Sequence, residues 1–300
     1  MIRPPFLKKG DKIAITSTAR KLSYSEINSG IKALEGFGYE VVVSPTIGAE
    51  HHIFAGDDAM RAEELQGFIN DETIKAIWLA RGGYGSIRIL QQINWSTFKA
   101  SPKWLIGFSD VTNLLTYSTL QGAAGIHGPM PKTVPSNFED DESVQRLFSM
   151  LAGEKSPLEW QSTQHCRKGT AEGKLLGGNL ASLFALVPGL PEDYFDDAIL
   201  FLEDIDEYLY EIDRMLRGLE LSGRLNKLKA LVIGQFTCMK DNDDPFGENL
   251  QEIVRSVFAA HDFPIAFGLQ AGHEEVNWPL MLGAYYRLEE KGWGWKLLMD

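Results

Sequence analysis

Short runs of apolar, often β-branched residues alternate with longer amphipathic stretches through the first half of the chain. The runs have the length and composition of buried strands, and they lie at 12–17, 41–43, 76–80 and 104–108. The stretches between them carry apolar residues at helical spacing, and they lie at 25–37, 57–69 and 110–120. This alternation predicts an α/β domain with a parallel sheet and helices on both faces.

The second half is richer in strands and less regular. Its predicted strands lie at 173–180, 198–204, 230–236, 264–269, 282–288 and 293–298, and its predicted helices at 180–186, 208–219 and 250–260. A helix at 142–151 precedes a polar, irregular stretch at 153–169. We therefore predict an N-terminal domain at 1–152, a linker at 153–169 and a C-terminal domain at 170–300.

Composition narrows the class of protein. The 300 residues are 44% hydrophobic and carry a net charge of −12, which disfavours nucleic acid and anionic membranes as partners. The N-terminus lacks the apolar core of a secretory signal, and no run approaches the roughly 18 apolar residues of a membrane span. Cys166 and Cys238 are far apart in sequence. A reduced, cytoplasmic location is the simplest interpretation, although a single disulfide is compatible with the sequence.

A serine stands where a predicted strand meets a predicted helix, in the sequence Gly107-Phe108-Ser109-Asp110. Ligands of open α/β sheets bind at the carboxyl ends of the strands. A hydroxyl on a sharp turn there can act as a nucleophile, with the Asp110 N–H as a donor to a developing oxyanion. Serine is also a preferred helix N-cap, so this position alone does not decide between the two roles.

A glycine-rich loop, Arg81-Gly82-Gly83-Tyr84-Gly85, follows another predicted strand. It matches neither the phosphate-binding loop nor the dinucleotide fingerprint, which leaves a nucleotide-dependent oxidoreductase poorly supported. The loop is either a simple tight turn or an approach of backbone to ligand. In the second case the Gly83 N–H is a second oxyanion donor, and Arg81 or Tyr84 shapes the pocket.

An acid and a histidine follow strands of the second half. Glu203 ends the run at 198–202, but the acidic residues after it also suit a solvent-exposed carboxylate. His273 follows the predicted strand at 264–269 and Gly272, in a position where a loop histidine can be a general base. A second histidine is missing for a zinc-binding H-E-x-x-H motif, and the acidic loop at 241–244 fails the EF-hand pattern, so we predict no metal. His127 suits a place lining the pocket or a structural hydrogen bond.

Taken together, these motifs resemble the LD-carboxypeptidase family of serine peptidases, which includes muramoyltetrapeptide carboxypeptidases and microcin-immunity peptidases. The matching segments, given by their first residues, are RGGYG at Arg81, GFSD at Gly107, HGPM at His127, GGNL at Gly177, LED at Leu202, and GH at Gly272 followed by Asn277. They span most of the chain, and as a set they are far more specific than any one of them.

The resemblance implies a catalytic triad of Ser109, Glu203 and His273. It also implies a flavodoxin-like, glutamine-amidotransferase-like N-terminal domain and a smaller mixed-sheet α+β C-terminal domain. The expected reaction is release of terminal D-alanine from murein tetrapeptides, by a homodimer and without a cofactor. Arg81 is a candidate for the substrate carboxylate, with a structural ion pair as the alternative. A microcin-immunity peptidase acting on a peptidyl-nucleotide and a non-catalytic binding module are the other hypotheses.

Overall fold

The computed structural model of the protein describes residues 1–161 and 167–300. The described chain forms two compact units. Unit 1 contains Met1–Lys155 and Asn277–Gly283, and unit 2 contains Ser156–Val276 and Ala284–Asp300. Within the described ranges, we find no helix with the length and apolar character needed to cross a membrane.

The strands are short in unit 1 and longer in unit 2. In chain order they are β1 (Lys12–Thr16), β2 (Glu40–Val43), β3 (Ile74–Leu79), β4 (Trp104–Gly107), β5 (Gly125–His127), β6 (Leu158–Gln161), β7 (Thr170–Asn179), β8 (Ala198–Ile205), β9 (Ala230–Thr237), β10 (Ile265–Phe267), β11 (Leu280–Leu282), β12 (Tyr285–Lys291) and β13 (Gly294–Met299).

The helices alternate with the strands in most of the chain. They are α1 (Asn28–Gly36), α2 (Asp58–Asn70), α3 (Ser86–Ile89), α4 (Trp95–Ala100), α5 (Thr112–Leu120), α6 (Glu142–Leu151), α7 (Leu180–Leu186), α8 (Leu209–Leu221) and α9 (Leu250–Val257). Short 3-10 helices lie at Tyr24–Ile27, Leu90–Gln92, Ser109–Val111, Pro131–Thr133 and Val187–Gly189.

The sheet of unit 1 has the strand order β11-β5-β4-β3-β1-β2. Strands β1 to β5 are parallel to their neighbours, and β11 pairs antiparallel with β5. Central strands β3 and β4 are almost wholly buried, as expected for a sheet covered on both faces. The carboxyl ends of β1, β3 and β4 therefore lie side by side at one edge of the sheet.

The sheet of unit 2 has the order β10-β9-β8-β7-β12-β13-β6. Strands β7 to β10 are parallel, whereas β12, β13 and β6 join as antiparallel neighbours. Strand β8, with seven buried residues, lies between β7 and β9. The chain is therefore an α/β protein with two mixed sheets.

The predicted elements agree with these bounds to within a few residues wherever the apolar pattern is strong. The helix at 142–151 has its predicted ends, and Asp57 caps α2 by accepting a bond from the Met60 N–H. Residues 158–161 of the predicted linker form β6. The predicted domain boundaries stay a prediction; the structure groups Asn277–Gly283 with unit 1 because β11 pairs with β5. Cys166 and part of that linker lie outside the described residues.

Candidate active site

Ser109 stands on a strained turn at the carboxyl end of β4. The strand is buried throughout, and the 3-10 helix Ser109–Val111 leads from it directly into α5. The backbone φ of Ser109 is +62°, in the left-handed region that residues with a β-carbon rarely adopt. Such strain is concentrated at functional sites, and a serine on a sharp strand-to-helix turn is the geometry of a nucleophile elbow.

Asp110 ties this turn to the segment after the glycine loop. Its side chain is 4% exposed, and one carboxylate oxygen accepts a bond of 2.9 Å from the Ser86 N–H at the start of α3. The Asn113 amide donates to the Asp110 carbonyl oxygen at 2.8 Å. Burial raises the pKa of Asp110, and the Ser86 donors oppose that shift. The carboxylate therefore serves as an anchor for two loops.

The glycine loop lies directly against the serine. A β-carbon placed on Gly82 would be 3.0 Å from Ser109 Oγ and 3.3 Å from the Asp110 backbone nitrogen. The sequence motif pointed to Gly83, whose φ of +113° requires glycine, whereas the contact with Ser109 is made at Gly82. The oxyanion roles of the Asp110 and Gly83 N–H groups stay predictions.

A buried arginine is hydrogen-bonded to the backbone of the glycine loop. Arg61 of α2 has no exposed surface, and its Nη1 donates to the carbonyl oxygens of Thr18 and Gly85, the latter at 3.1 Å. Its Nη2 pairs with Asp58. We did not single out Arg61 from the sequence, although it occupies the buried stripe of α2 together with Leu65 and Ile69. A charge on an apolar stripe is a signal that such a residue has a buried partner.

The other residues predicted for the pocket of unit 1 have different environments. Arg81 is half-buried, and its Nη1 donates to the Lys21 carbonyl oxygen at 2.8 Å. Tyr84 is 47% exposed, with its ring centroid 6.2 Å from that of Phe54. His127 is fully buried on β5. Arg81 is thus bonded to backbone in this structure, while Tyr84 is open to solvent.

In unit 2, the predicted acid and base contact one another. Glu203 of β8 is fully buried, and its Oε2 lies 2.6 Å from Nδ1 of His273. Burial tends to lower the pKa of His273, but the hydrogen bond and the negative charge of Glu203 outweigh it, so that pKa is raised above its usual 6.5. Burial of Glu203 also removes the alternative of a solvent-exposed acid.

Gln235 of β9 holds the loop that carries His273. Its amide nitrogen donates to the Val276 carbonyl oxygen at 2.8 Å, and its Oε1 accepts from the Glu274 N–H at 2.9 Å. Gly272 has a φ of +142°, and a β-carbon there would be 2.9 Å from the Gln235 side chain. The Gln235 backbone N–H also donates to the Ala271 carbonyl oxygen at 3.0 Å, so this residue bonds to the loop on both sides of the histidine. We did not assign Gln235 from sequence, because an amide at a strand end has no distinctive pattern.

Asp204, the residue after Glu203, accepts hydrogen bonds from residues at the start of α7. It accepts bonds from the Asn179 amide at 2.7 Å and from the Ala181 N–H at 2.9 Å. Burial, then the charge of Glu203, raises the pKa of Asp204 to about 6. Asn179 also caps α7 by accepting from the Ser182 N–H. The GGNL and LED segments of the sequence therefore meet in one polar cluster beside Glu203.

Each unit carries part of the predicted triad. Unit 1 contains a serine on a strained turn beside the glycine loop, and unit 2 contains an imidazole bonded to a buried carboxylate. A carboxylate on Nδ1 leaves proton exchange with a hydroxyl to Nε2. Within 1–161 and 167–300, no three His, Cys, Asp or Glu side chains are grouped so that they could hold a metal ion.

The contact between Gly82 and Ser109 leads to a prediction. We expect Gly82→Ala to lower the kcat/KM of any reaction at Ser109 about 10²-fold or more. The new methyl group would displace the Ser109 hydroxyl, and small misplacements of reacting groups have effects of that size. The thermal midpoint should fall little. Gly67→Ala is the matched control, since a β-carbon on Gly67 meets nothing within 4 Å. Unchanged kinetics in Gly82→Ala would show that Ser109 is not placed as described.

Comparison with known proteins relates both units to one family. The profile of the LD-carboxypeptidase N-terminal domain matches residues 13–128, and that of the LD-carboxypeptidase C-terminal domain matches residues 172–288. A putative carboxypeptidase of Synechocystis is 32% identical over 96% of this chain and 94% of its own. The murein tetrapeptide carboxypeptidase of Pseudomonas aeruginosa is 30% identical over 89% of this chain and 90% of its own.

Two solved structures share the fold. The muramoyltetrapeptide carboxypeptidase from Oxalobacter formigenes has a TM-score of 0.85 and 28% identity, covering 96% of this chain and 99% of its own. A microcin C7 self-immunity protein has a TM-score of 0.86 at 20% identity, covering 98% and 97%. The second likeness concerns the fold alone.

Proposed function

Because the chain belongs to the LD-carboxypeptidase family, we propose that it is a serine peptidase that releases the terminal D-alanine of murein tetrapeptides. The observation that carries the proposal is the 2.6 Å contact of His273 with the buried Glu203. These are the two residues that the family motifs select as base and acid. Relatives named as murein tetrapeptide and muramoyltetrapeptide carboxypeptidases support the substrate.

In the proposed reaction, His273 Nε2 takes the proton of Ser109 as the hydroxyl oxygen attacks the carbonyl carbon before D-alanine. Glu203 accepts a hydrogen bond from Nδ1, which fixes the tautomer and stabilises the imidazolium. The imidazolium then gives its proton to the amine of D-alanine, the C–N bond breaks, and an acyl-enzyme forms on Ser109. Water, deprotonated by the same imidazole, hydrolyses the acyl-enzyme and restores the serine.

Negative charge on the carbonyl oxygen requires donors at the serine turn. The N–H groups of Asp110 and Gly83 are the proposed pair, and their support is the position of the glycine loop against Ser109. Losing one such donor typically costs about 3 kcal/mol of transition-state stabilisation. Tyr84, Arg81 and His127 are proposed to line the pocket. No cofactor takes part in these steps.

Three further features belong to the proposal. A flavodoxin-like description of unit 1 is supported by the spatial order β2-β1-β3-β4-β5 of its parallel strands. A cytoplasmic location rests on the sparse cysteines of the sequence. A homodimer rests on the family resemblance.

Mass spectrometry of purified muropeptides tests the function. We expect the protein to convert a tetrapeptide muropeptide to the tripeptide with release of one D-alanine, and Ser109→Ala to leave the substrate intact. Hydrolysis of an aminoacyl-sulfamoyl adenylate, with no action on the tetrapeptide, would favour the microcin-immunity hypothesis. Binding of muropeptide with no cleavage of either compound would favour the non-catalytic module.

A further inference from the structure

We propose that Arg20 binds the terminal carboxylate of the substrate, an assignment that rests on the proposed carboxypeptidase function. An exopeptidase of this kind recognises a chain end by its negative charge. The terminal carboxylate lies about one residue's length, or about 3.6 Å along an extended chain, from the scissile carbonyl. The cation that binds it must lie one charge-assisted hydrogen bond, about 2.8 Å, beyond that carboxylate. It must also have no carboxylate of the protein bound to it.

The side chain of Arg20 crosses the glycine loop next to the serine. A β-carbon on Gly83 would lie 2.7 Å from Arg20 Cδ and 3.1 Å from Nε, so glycine at this position gives the arginine its path. The preceding residue, Gly82, makes the contact with Ser109 Oγ. Ser109 and Arg20 therefore flank a strip of backbone that is two residues wide.

This spacing suits a D-alanine residue. The attacking oxygen begins about 3 Å from the carbonyl carbon, the carboxylate lies one residue further, and a charge-assisted bond adds about 2.8 Å. Two residues of extended backbone span about 7 Å. Ser109 Oγ lies near the β-carbon position of Gly82, and Arg20 Nε lies near that of Gly83. The terminal residue of the substrate would lie across Gly82 and Gly83.

The backbone of Arg20 is held in place by hydrogen bonds, whereas its side chain is exposed to solvent. The Arg20 carbonyl oxygen accepts from the Ser17 hydroxyl at 3.0 Å, and its backbone pairs with Phe54 in an isolated bridge. The residue is exposed, and among the described residues no carboxylate lies within 4.0 Å of its guanidinium. In contrast, Arg88 is paired with Asp58.

Arg81, the candidate taken from the sequence, is placed less well for this task. Its Nη1 already donates to the Lys21 carbonyl oxygen, and it is half-buried. Burial lowers the pKa of Arg81, the charge of Glu26 opposes that shift, and the charge of Arg20 adds a smaller lowering. The positive charges of Arg20 and Arg81 therefore lie close enough to interact, with the carboxylate of Glu26 also close to Arg81.

Kinetics with a matched pair of substrates test the assignment. One is a tetrapeptide ending in free D-alanine, and the other ends in D-alaninamide. We expect the wild type to favour the free acid, and Arg20→Gln to lower kcat/KM for the acid about 10- to 100-fold while leaving the amide nearly unchanged. Added ethylguanidinium should restore part of the lost activity on the acid. Arg88→Gln is the control and should leave both substrates unaffected.

Three outcomes would overturn the assignment. Arg20→Gln could retain the wild-type preference for the acid, or lower activity on acid and amide equally with a lower melting temperature. Arg81→Gln could abolish the preference while Arg20→Gln keeps it. In each of these the wild type still releases D-alanine, so the proposed function stands. If the wild type released neither D-alanine nor D-alaninamide, the proposed function itself would fail, and this assignment with it.

Discussion

Replacing Ser109 by alanine is expected to lower kcat/KM for D-alanine release by about 10⁵- to 10⁶-fold, since removal of a serine nucleophile from a triad has effects of this size. Alanine keeps the β-carbon, so the left-handed backbone at φ +62° costs much the same in the variant. The fall in kcat/KM should therefore come from loss of the nucleophile and not from unfolding of the protein. Steady-state assay of D-alanine release, with a thermal melt for the fold, measures both.

Ser118→Ala is the matched control for this variant. Ser118 lies in α5, the helix that follows the serine turn, and its hydroxyl donates to the Ala123 carbonyl oxygen. Removal of this hydroxyl should lower the free energy of unfolding by about 1 kcal/mol and leave kcat/KM for D-alanine release unchanged. The nucleophile assignment would be wrong if Ser109→Ala and wild type released D-alanine at the same rate.

Replacing Glu203 by glutamine is expected to lower kcat about 10⁴-fold, as for other triads in which the carboxylate becomes an amide and the tautomer changes. The variant should also shift the pH profile. In the wild type, Ser109 needs a neutral imidazole, so activity falls as the pH drops through the raised pKa of His273, above 6.5. Without the Glu203 carboxylate, burial lowers the pKa of His273 against only the smaller effect of the Asp204 charge, and the acid limb should move to lower pH.

The pH profiles of kcat/KM in both proteins give the measurement, because they report the free enzyme. Glu274→Gln is the control: it changes a carboxylate in the same loop whose Oε1 accepts from the Thr237 hydroxyl. It should leave the acid limb in place. An acid limb that stays unmoved in Glu203→Gln would mean that the Glu203 contact does not set the charge of His273.

Much of the fold follows from local pattern. Strand β4 could be placed because it is an unbroken apolar run, and helix α6 because its apolar residues recur at helical spacing. The start of α2 could be placed because an aspartate there can cap the helix. The alternation of such elements was enough to predict an α/β class. Strands β6 and β11 were missed, since each has only three or four residues and forms through pairing with distant strands.

The sequence predicted those residues of the candidate site that lie within the family motifs. The contact of Glu203 with His273 joins residues 70 positions apart, and only the family motifs pointed to both. Local sequence favoured a solvent-exposed Glu203, because acidic residues follow it; its burial comes from the flanking strands β7 and β9. The supports of the site, such as Gln235 and Gly82, are defined by their three-dimensional neighbours and have no signature in one sequence.

The central claim is that Ser109, His273 and Glu203 act as one triad, and labelling with a fluorophosphonate tests it most directly, because only an activated serine attacks the phosphorus. Intact mass and peptide mapping should find one adduct on wild type, on Ser109, forming at least about 10²-fold faster than in His273→Ala. Equal labelling rates in the two proteins, or an adduct on another residue, would contradict the account.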